Sequence, residues 1–387
     1  MTQKVPFFRP SLGEKEIAAV VKSLRSGWLT TGPQTSAFEA EFRALMGDTV
    51  HAIAVNSATA ALHLGLEALG VGPGDEVIVP TMTFTATAEV IRYLGAMPVF
   101  VDMDPATICV EVEAVAAAIT SRTKVIMPVH FAGRACNMTG LRALADDHGL
   151  RILDDAAHAL PTRHAGALIG AAVNGADVTA FSFYANKTMT TGEGGMLVTG
   201  CDEIADRVRK MRLHGIDRDV FDRFTNLRAS WAYDVVEAGY KYNMTDLAAA
   251  MGRVQLNQID DFQATRAAIA ARYDAAFADL PLTLPPHAAI GDEHSWHLYI
   301  VQLTDDALLT RDVFITRLQE AGVATSVHYR PLHQMTYWKP MAGGRTFPAA
   351  DAYFARCVSL PMFMAMTETE QARVIKVVRE ALEGEAK

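Results

Sequence analysis

The chain has 387 residues, of which 50% are hydrophobic and 20% are charged, and its formal net charge at pH 7 is -9. A chain of this length usually divides into two domains, and a mildly acidic balance without a basic stripe argues against nucleic acid as a partner. We therefore predict a globular two-domain protein, for which a small anion remains a feasible ligand.

The first residues lack the apolar stretch of a signal peptide, and no later window is apolar enough to span a membrane. We accordingly expect a cytoplasmic protein without membrane contact. The cysteines Cys109, Cys136, Cys201 and Cys357 are widely spaced, which predicts free thiols and neither a disulfide framework nor a zinc site. The histidines form no HExxH motif, so no metal is expected.

Short apolar runs alternate with helical periods between about residues 50 and 200. The alternation predicts strands at 75–80, 97–104, 124–130, 151–155, 177–184 and 194–200, and helices at 83–95, 112–119 and 138–148. This α/β pattern is typical of a mainly parallel sheet flanked by helices, which binds ligands at the carboxyl ends of its strands.

The pattern changes beyond Asp246. An alanine-rich helical stretch over 247–280 precedes a proline-rich break. Strands are predicted within 294–303 and 322–329, and helices are predicted near 310–321 and 367–385. We therefore predict a large domain over residues 1–250, and a connecting helix with a smaller α+β domain over residues 251–387.

Two adjacent carboxylates, Asp154 and Asp155, end the predicted strand RILDD. Buried acids need a cation or a hydrogen-bond donor, and successive strand residues face opposite sides. One of the two is therefore expected to face a ligand site. Capping of a following helix is the simpler alternative.

The segment NSATAAL, residues 56–62, opens a helix directly after the apolar run HAIAV. Backbone N–H groups at such a helix start, assisted by Ser57 and Thr59, make a cradle for a phosphate group. As a plain helix cap the same residues need no ligand.

A lysine, Lys187, stands between an aromatic run and a glycine-rich loop in FSFYANKTMTTGEGG, residues 181–195. A side chain reaching from the strand end back to solvent is one interpretation. A P-loop is disfavoured because its lysine follows the glycines, whereas this one precedes them. Pyridoxal phosphate needs a partly desolvated lysine, a buried aspartate and a phosphate cradle together, and this cofactor is our prediction.

Four segments in order, NSATAALHLGLEALGVGPGDEVIVPTMTFTATAEVI, ILDDAAHAL, FSFYANKTMTTGEGGML and GYKYNMTDLAAAMGRVQL, resemble the DegT/DnrJ/EryC1/StrS aminotransferases. The resemblance runs from SGWLTTGP to SLPMF. It implies a fold-type I α/β enzyme that uses pyridoxal 5'-phosphate to aminate sugars.

The resemblance also implies residue roles. Lys187 would be the Schiff-base lysine, Asp155 would meet the pyridinium nitrogen, and Phe84 would stack on the cofactor ring. His158 would either contact the ring directly or form a hydrogen bond to a residue that contacts it. The phosphate would be bound by Ala58, Thr59 and Ser182.

The motif GYKYNM is similar to a segment that reaches into a neighbouring subunit's site and supplies an asparagine to the phosphate there. Some members carry the amide two residues earlier, where this chain has Lys241. Either Asn243 or Lys241 could thus make the contact. The resemblance implies a homodimer that is needed for activity.

The resemblance implies that the amino donor is glutamate and that the acceptor is a nucleotide-linked ketosugar. The spacing of the motifs is most like that of members acting on UDP-linked 4-keto sugars. Arginines of the segment 212–243, with Trp231, Tyr233 and Tyr240, suit a diphosphate and a stacked base, although an exposed surface loop explains them equally well. The further candidates for substrate contact are Thr30, Thr31, His328 and Tyr329.

The sequence also bears on three alternative functions. A dehydratase branch of the family has histidine in place of the Schiff-base lysine, so Lys187 argues against it. An aminotransferase for a keto-cyclitol of the scyllo-inosose type stays open. A non-catalytic, regulatory pyridoxal phosphate protein is disfavoured because no helix-turn-helix or basic extension accompanies the chain.

Overall fold

The computed structural model of the chain describes residues 4–217 and 233–383. Its strands are β1 (His51–Val55), β2 (Glu76–Pro80), β3 (Met97–Val101), β4 (Thr123–Ile126), β5 (Arg151–Asp155), β6 (Arg163–His164), β7 (Ala167–Leu168), β8 (Val178–Ser182), β9 (Gly195–Thr199), β10 (Leu282–Thr283), β11 (Tyr299–Leu303) and β12 (Cys357–Leu360).

The α-helices of the described residues are α1 (Glu14–Ser26), α2 (Pro33–Met46), α3 (Ala58–Ala68), α4 (Ala86–Tyr93), α5 (Val112–Ala118), α6 (Met138–His148), α7 (Asp202–Met211), α8 (Asp246–Leu256), α9 (Ile259–Phe277), α10 (Arg311–Glu320), α11 (Pro348–Arg356) and α12 (Glu368–Glu383). Short 3-10 turns occur at Phe131–Gly133, Ala172–Asn174, Leu332–Gln334 and Lys339–Ala342. None of the described helices is both long and apolar enough to cross a membrane.

A seven-stranded sheet with the order β1-β9-β8-β5-β4-β2-β3 forms the centre of the larger part of the chain. Within this sheet β9 alone runs antiparallel to its neighbours, and the remaining strands are parallel to one another. The carboxyl ends of β1, β2, β4, β5 and β8 therefore open on the same edge. This confirms the predicted α/β class.

Helices cover both faces of this sheet because its strands are apolar on both sides. In β2, Val77 and Val79 join one apolar cluster whereas Ile78 joins the other. Helix α3, on the first face, begins at the cap residue Ser57, whose Oγ accepts a hydrogen bond from Ala60 N–H over 3.1 Å. The cap fixes the point where the chain turns from β1 into the helix.

A second apolar core lies around the three-stranded sheet β10-β11-β12. It contains Tyr273 and Phe277 of α9, Phe314 of α10 and Val374 of α12, all of them fully buried. A separate core of this kind fits the predicted smaller α+β domain. The boundary between residues 250 and 251 stays a prediction.

Two predicted elements differ in the structure. The stretch 247–280 is two helices, α8 and α9, because Gln258 leaves helical geometry between them. The Gln258 side chain donates hydrogen bonds to Glu16 Oε1, over 2.9 Å, and to Val254 O, over 3.0 Å. A contact with the distant residue Glu16 thus helps to place the break.

The predicted strand at 322–329 is also wrong. Within this segment Val323 makes an isolated bridge with Val5, and Ser326 makes one with Ser359. Because the two bridges have different partners, they do not form one continuous ladder of backbone hydrogen bonds. Helix α6 and strand β5 match their predicted bounds. All four cysteines are free, as expected.

Candidate active site

A cavity of about 470 Å³ lies at the carboxyl edge of the parallel strands. Segments that follow β1, β2, β5 and β8 form most of its wall, as expected for an α/β sheet. The side chains that matter for its chemistry belong to Ser57, Ala58, Thr59, Phe84, Asp155, His158, Ser182, Lys187, His328 and Tyr329. These ten residues come from five separate parts of the sequence.

Lys187 lines this cavity because the chain turns back directly after β8. A turn in which Lys187 N–H donates to Tyr184 O over 2.9 Å brings the lysine over the strand end, while Phe181 and Phe183 stay buried below. Burial lowers the pKa of Lys187 to about 8, although the nearby Asp155 carboxylate opposes the shift. A substantial fraction of neutral, nucleophilic amine is therefore present near neutral pH.

Asp155 ends β5 and is buried in the same wall. Its Oδ2 accepts a hydrogen bond from Thr87 Oγ1 over 2.7 Å, and its Oδ1 accepts one from Ala157 N–H over 3.1 Å. Burial nevertheless raises the pKa of Asp155 above its ordinary value, against the effect of these donors and of Lys187. A cationic group in the cavity would stabilise the carboxylate further.

The neighbouring carboxylate, Asp154, lies on the other side of β5, as alternation along a strand requires. Its Oδ2 is 3.4 Å from His130 Nε2, and both residues are fully buried. Burial alone would lower the pKa of His130, but the facing carboxylate raises it overall. The two aspartates therefore have different surroundings, and of the pair only Asp155 lines the cavity.

The start of α3 gives the cavity an anion-binding end. Ser57 Oγ accepts a hydrogen bond from Ala60 N–H, and the Ser57 carbonyl accepts one from Ala61 N–H. Within the described ranges, the N–H groups of Ala58 and Thr59 have no protein acceptor. Gly195 of β9 allows this close approach, because a Cβ there would lie 2.6 Å from the Ser57 carbonyl carbon. Ser182 lies across from this helix start in the same cavity.

Aromatic side chains form another wall. The Phe84 side chain is 57% exposed although it is large and apolar, and its ring centroid lies 6.0 Å from that of Tyr329. The Tyr329 hydroxyl is 3.1 Å from His158 Nε2. Burial lowers the pKa of His328 to about 4, so its imidazole is neutral near pH 7. Phe84 is thus free to stack on a flat ring.

Three of the predicted site residues lie away from this cavity in the single chain. Asn243 Nδ2 donates to Thr31 Oγ1 over 2.8 Å, and Thr31 Oγ1 donates to Met244 O over 2.6 Å. Thr30 precedes them on the surface, and its carbonyl accepts from Asp246 N–H. Trp231 and the arginines of 218–232 lie outside the described residues.

Two residues of the site were missed from the sequence. Thr87 supports Asp155 from the first turn of α4, and His297 Nε2 lies 3.5 Å from Lys187 Nζ. The position of Thr87, three residues after Phe84 at a predicted helix start, was a usable signal. Nothing in the sequence near His297 links it to a lysine 110 positions earlier.

These residues fit pyridoxal phosphate. Free N–H groups at the α3 start suit a phosphate, the under-compensated Asp155 carboxylate suits a protonated ring nitrogen, and Lys187 offers an amine. No group of three or more His, Cys, Asp or Glu side chains in the described ranges is arranged to hold a metal ion. The fold and this site are those of a pyridoxal phosphate-dependent transaminase.

The chain belongs to the DegT/DnrJ/EryC1/StrS aminotransferase family, whose model matches residues 10–379. It is 44% identical to the spore coat polysaccharide biosynthesis protein SpsC of Bacillus subtilis over 98% of this chain and 97% of that protein. The protein Spr1654 of Streptococcus pneumoniae, solved in its PLP form, is 36% identical with a TM-score of 0.90, over 98% of this chain and 99% of that one. PseC of Helicobacter pylori, an aminotransferase involved in the biosynthesis of pseudoaminic acid, is 25% identical with a TM-score of 0.89, over 99% of this chain and 100% of that one.

Proposed function

We propose that this aminotransferase moves an amino group from glutamate to the keto carbon of a nucleotide-linked sugar, in particular a UDP-linked 4-keto sugar. SpsC is named for the biosynthesis of a polysaccharide and PseC for that of pseudoaminic acid, which supports a sugar as the acceptor. The motif spacing of the chain supports the UDP-linked 4-keto class.

The observation that carries the proposal is the shared cavity of Lys187 and Asp155. Partial burial lowers the pKa of the lysine to about 8, and burial raises the pKa of the carboxyl group of Asp155. We assign Lys187 as the residue that bonds covalently to the cofactor, and Asp155 as the partner of its ring nitrogen. Thr87 would orient Asp155 through the 2.7 Å hydrogen bond.

The other cavity residues would hold the cofactor. The Ala58 and Thr59 N–H groups, with the Ser182 hydroxyl, would bind its phosphate, and Phe84 would stack on its ring. His158 is buried and its pKa is well below the ordinary value because of burial and nearby Lys187, so it would contact the ring region as a neutral imidazole. A neutral group there avoids competing with the ring for Asp155.

The bound cofactor supplies an aldehyde that condenses with amines and a ring that withdraws electrons from the bond being broken. As the free amine, Lys187 Nζ would accept the proton lost from the donor's α-carbon, and as the resulting ammonium it would act as the acid that gives up this proton again. A lysine with a pKa of about 8 can do both, because the two protonation states are close in free energy near neutral pH. The acceptor ketone would be aminated by the reverse sequence.

We further propose a homodimer in which Asn243, or Lys241 in its place, reaches the phosphate of the neighbouring subunit. Asn243 and Thr30 lie beside the start of α8, next to the buried Thr31 and outside their own chain's cavity, which is compatible with a role of Asn243 toward a second copy. His328 and Tyr329 would contact the acceptor sugar from within the cavity. A cytoplasmic location and the two-domain boundary at residue 250 complete the proposal.

Two half-reactions test this function. Cofactor-loaded protein mixed with L-glutamate alone should release about one 2-oxoglutarate per subunit and stop, because the two halves of a ping-pong reaction are separable. A panel of UDP-linked and dTDP-linked 4-keto sugars and of keto-inositols, added next, should yield an aminosugar nucleotide detectable by mass spectrometry. Amination of a keto-inositol alone would replace the sugar nucleotide with the cyclitol alternative, and no 2-oxoglutarate with glutamate would remove the proposed donor.

A further inference from the structure

The imidazole of His297 is next to the Lys187 amine. Its Nε2 lies 3.5 Å from Lys187 Nζ, at the outer limit of a hydrogen bond. The residue is 4% exposed and lies two positions before the start of β11, a strand of the three-stranded sheet. His297 thus comes from a segment that leads into the smaller sheet, whereas Asp155 ends a strand of the large one.

The backbone at His297 is held in place by an unusual arrangement. Trp296 has a φ of 52°, a left-handed conformation that a bulky residue rarely adopts. The buried Arg266 guanidinium donates to the carbonyls of Trp296, over 3.1 Å, and His297, over 3.2 Å. The Trp296 ring stacks on His294 with a centroid distance of 4.2 Å. These contacts fix the direction in which the His297 ring points.

The His297 ring is neutral, and its contacts do not favour one tautomer over the other. Burial lowers its pKa well below the ordinary value, and nearby Lys187 adds to the shift. Its other nitrogen, Nδ1, is buried without a hydrogen-bond partner among the described residues, so nothing on that side selects one tautomer. The ring of His158 packs against it at a centroid distance of 4.3 Å.

We propose that His297 is a positioning residue for Lys187: its Nε2 accepts a hydrogen bond from the ammonium form of the lysine and donates one to the neutral amine. One side chain thus holds Nζ at the same place in both protonation states. Asp155 can serve the ammonium form but, as a carboxylate, cannot donate to the amine. The inference rests on the proposed role of Lys187, because only a lysine that alternates between these states needs such a partner.

Loss of this partner should change the acidity of Lys187. The titratable or charged groups that act on Lys187 are Asp155, His158, Arg266, His297 and His328. If the other four stay in place, the ammonium loses more than the neutral amine does, because a hydrogen bond from a charged donor is the stronger of the two, and the lysine pKa should fall by about one unit, a tenfold change in its proton equilibrium. Methionine fills the space without a strong donor or acceptor, whereas glutamine supplies both.

The test compares the full-length chain with its His297→Met and His297→Gln variants. Before cofactor is added, Lys187 is labelled with acetic anhydride from about pH 6 to about pH 10, and peptide mass spectrometry gives its rate at each pH. We expect the midpoint to fall by about one unit in His297→Met and to return to within about 0.3 unit of the wild-type value in His297→Gln. His63→Met is the matched control, a buried histidine of α3 that does not line the cavity, and it should leave the midpoint unchanged.

The outcomes separate this inference from the proposed function. An unchanged midpoint in folded His297→Met, or an equal fall in His63→Met, would overturn the role of His297 while leaving Lys187 as the cofactor lysine. Attachment of the cofactor to another residue would instead overturn the proposed function. If His297→Met does not fold, His297→Leu replaces it: a midpoint lowered by about one unit supports the inference, and an unchanged midpoint overturns it.

Discussion

The hydroxyl of Thr87 donates a 2.7 Å hydrogen bond to Asp155 Oδ2, and thereby joins the start of α4 to the end of β5. Burial already raises the pKa of Asp155, so this donor is one of the few groups that favour its charged form. Thr83 Oγ1 lies 2.8 Å from Thr87 Oγ1 and continues the chain of hydroxyls. The carboxylate is thus oriented on one side by hydroxyl groups at the start of α4 and on the other by the Ala157 N–H group.

Thr87→Val should slow transamination about tenfold, since a hydrogen bond to a charged group contributes about 1.5 kcal/mol or more. The substitution keeps the shape of the side chain, so the fold should persist. The measurement is the rate of 2-oxoglutarate release from glutamate. Thr87→Ser retains the hydroxyl and should recover most of the rate; an equal loss in both variants would contradict the role of the hydrogen bond.

Asp155→Asn should leave cofactor binding detectable and slow turnover by about 10²-fold or more, because the ring nitrogen loses its counter-charge. The single-turnover rate of 2-oxoglutarate release from glutamate measures the effect. Asp154→Asn is the matched control: it disturbs the buried pair with His130, so it should lower the melting temperature while changing turnover per folded molecule far less. The reverse ranking of the two variants would show that the wrong carboxylate was assigned.

Gly195→Ala should weaken both the fold and the binding of pyridoxal phosphate. The new methyl group would lie 2.6 Å from the Ser57 carbonyl carbon and 2.7 Å from Ala58 N, so the start of α3 must shift. Overpacking of this kind costs about 1–3 kcal/mol. Thermal unfolding and cofactor titration measure the two effects. Gly200→Ala, where a Cβ meets no atom within 4 Å, should match the wild type in both measurements.

Capture of added pyridoxal phosphate by the cofactor-free chain should depend on pH through Lys187. Only the neutral amine attacks the aldehyde, and burial lowers the lysine pKa from 10.5 to about 8. The rate constant should therefore rise about tenfold per pH unit below about pH 8 and level off above it. Stopped-flow absorbance measures the rate. A rate that continues to rise toward about pH 10 would mean that the lysine is solvated like an ordinary surface residue.

Local pattern was sufficient for much of the fold and for the principal site residues. Strand β5 is an apolar run that ends in charge, and Asp155 and Lys187 both stand where a strand of a parallel sheet ends, so their convergence followed from topology. The start of α3 could be predicted from the sequence because Ser57 is a strong helix-capping residue next to an apolar strand.

Contacts between distant segments account for what sequence reasoning missed. The break between α8 and α9 involves the hydrogen bond of Gln258 to Glu16, and the segment 322–329 divides its pairing between Val5 and Ser359. His297 lies 110 positions after Lys187, in the segment that leads into the three-stranded sheet, and meets it only in the folded chain. The periodicity of side chains along the sequence does not predict contacts between distant segments.

The central claim is that the Nζ atom of Lys187 bonds to pyridoxal phosphate. Borohydride reduction of the cofactor-saturated chain, followed by peptide mapping, tests it directly. We predict a single pyridoxyl label on the peptide that contains Lys187, and no label at that position in a folded Lys187→Ala variant. A label on another side chain, or none in the saturated wild-type protein, would contradict the account.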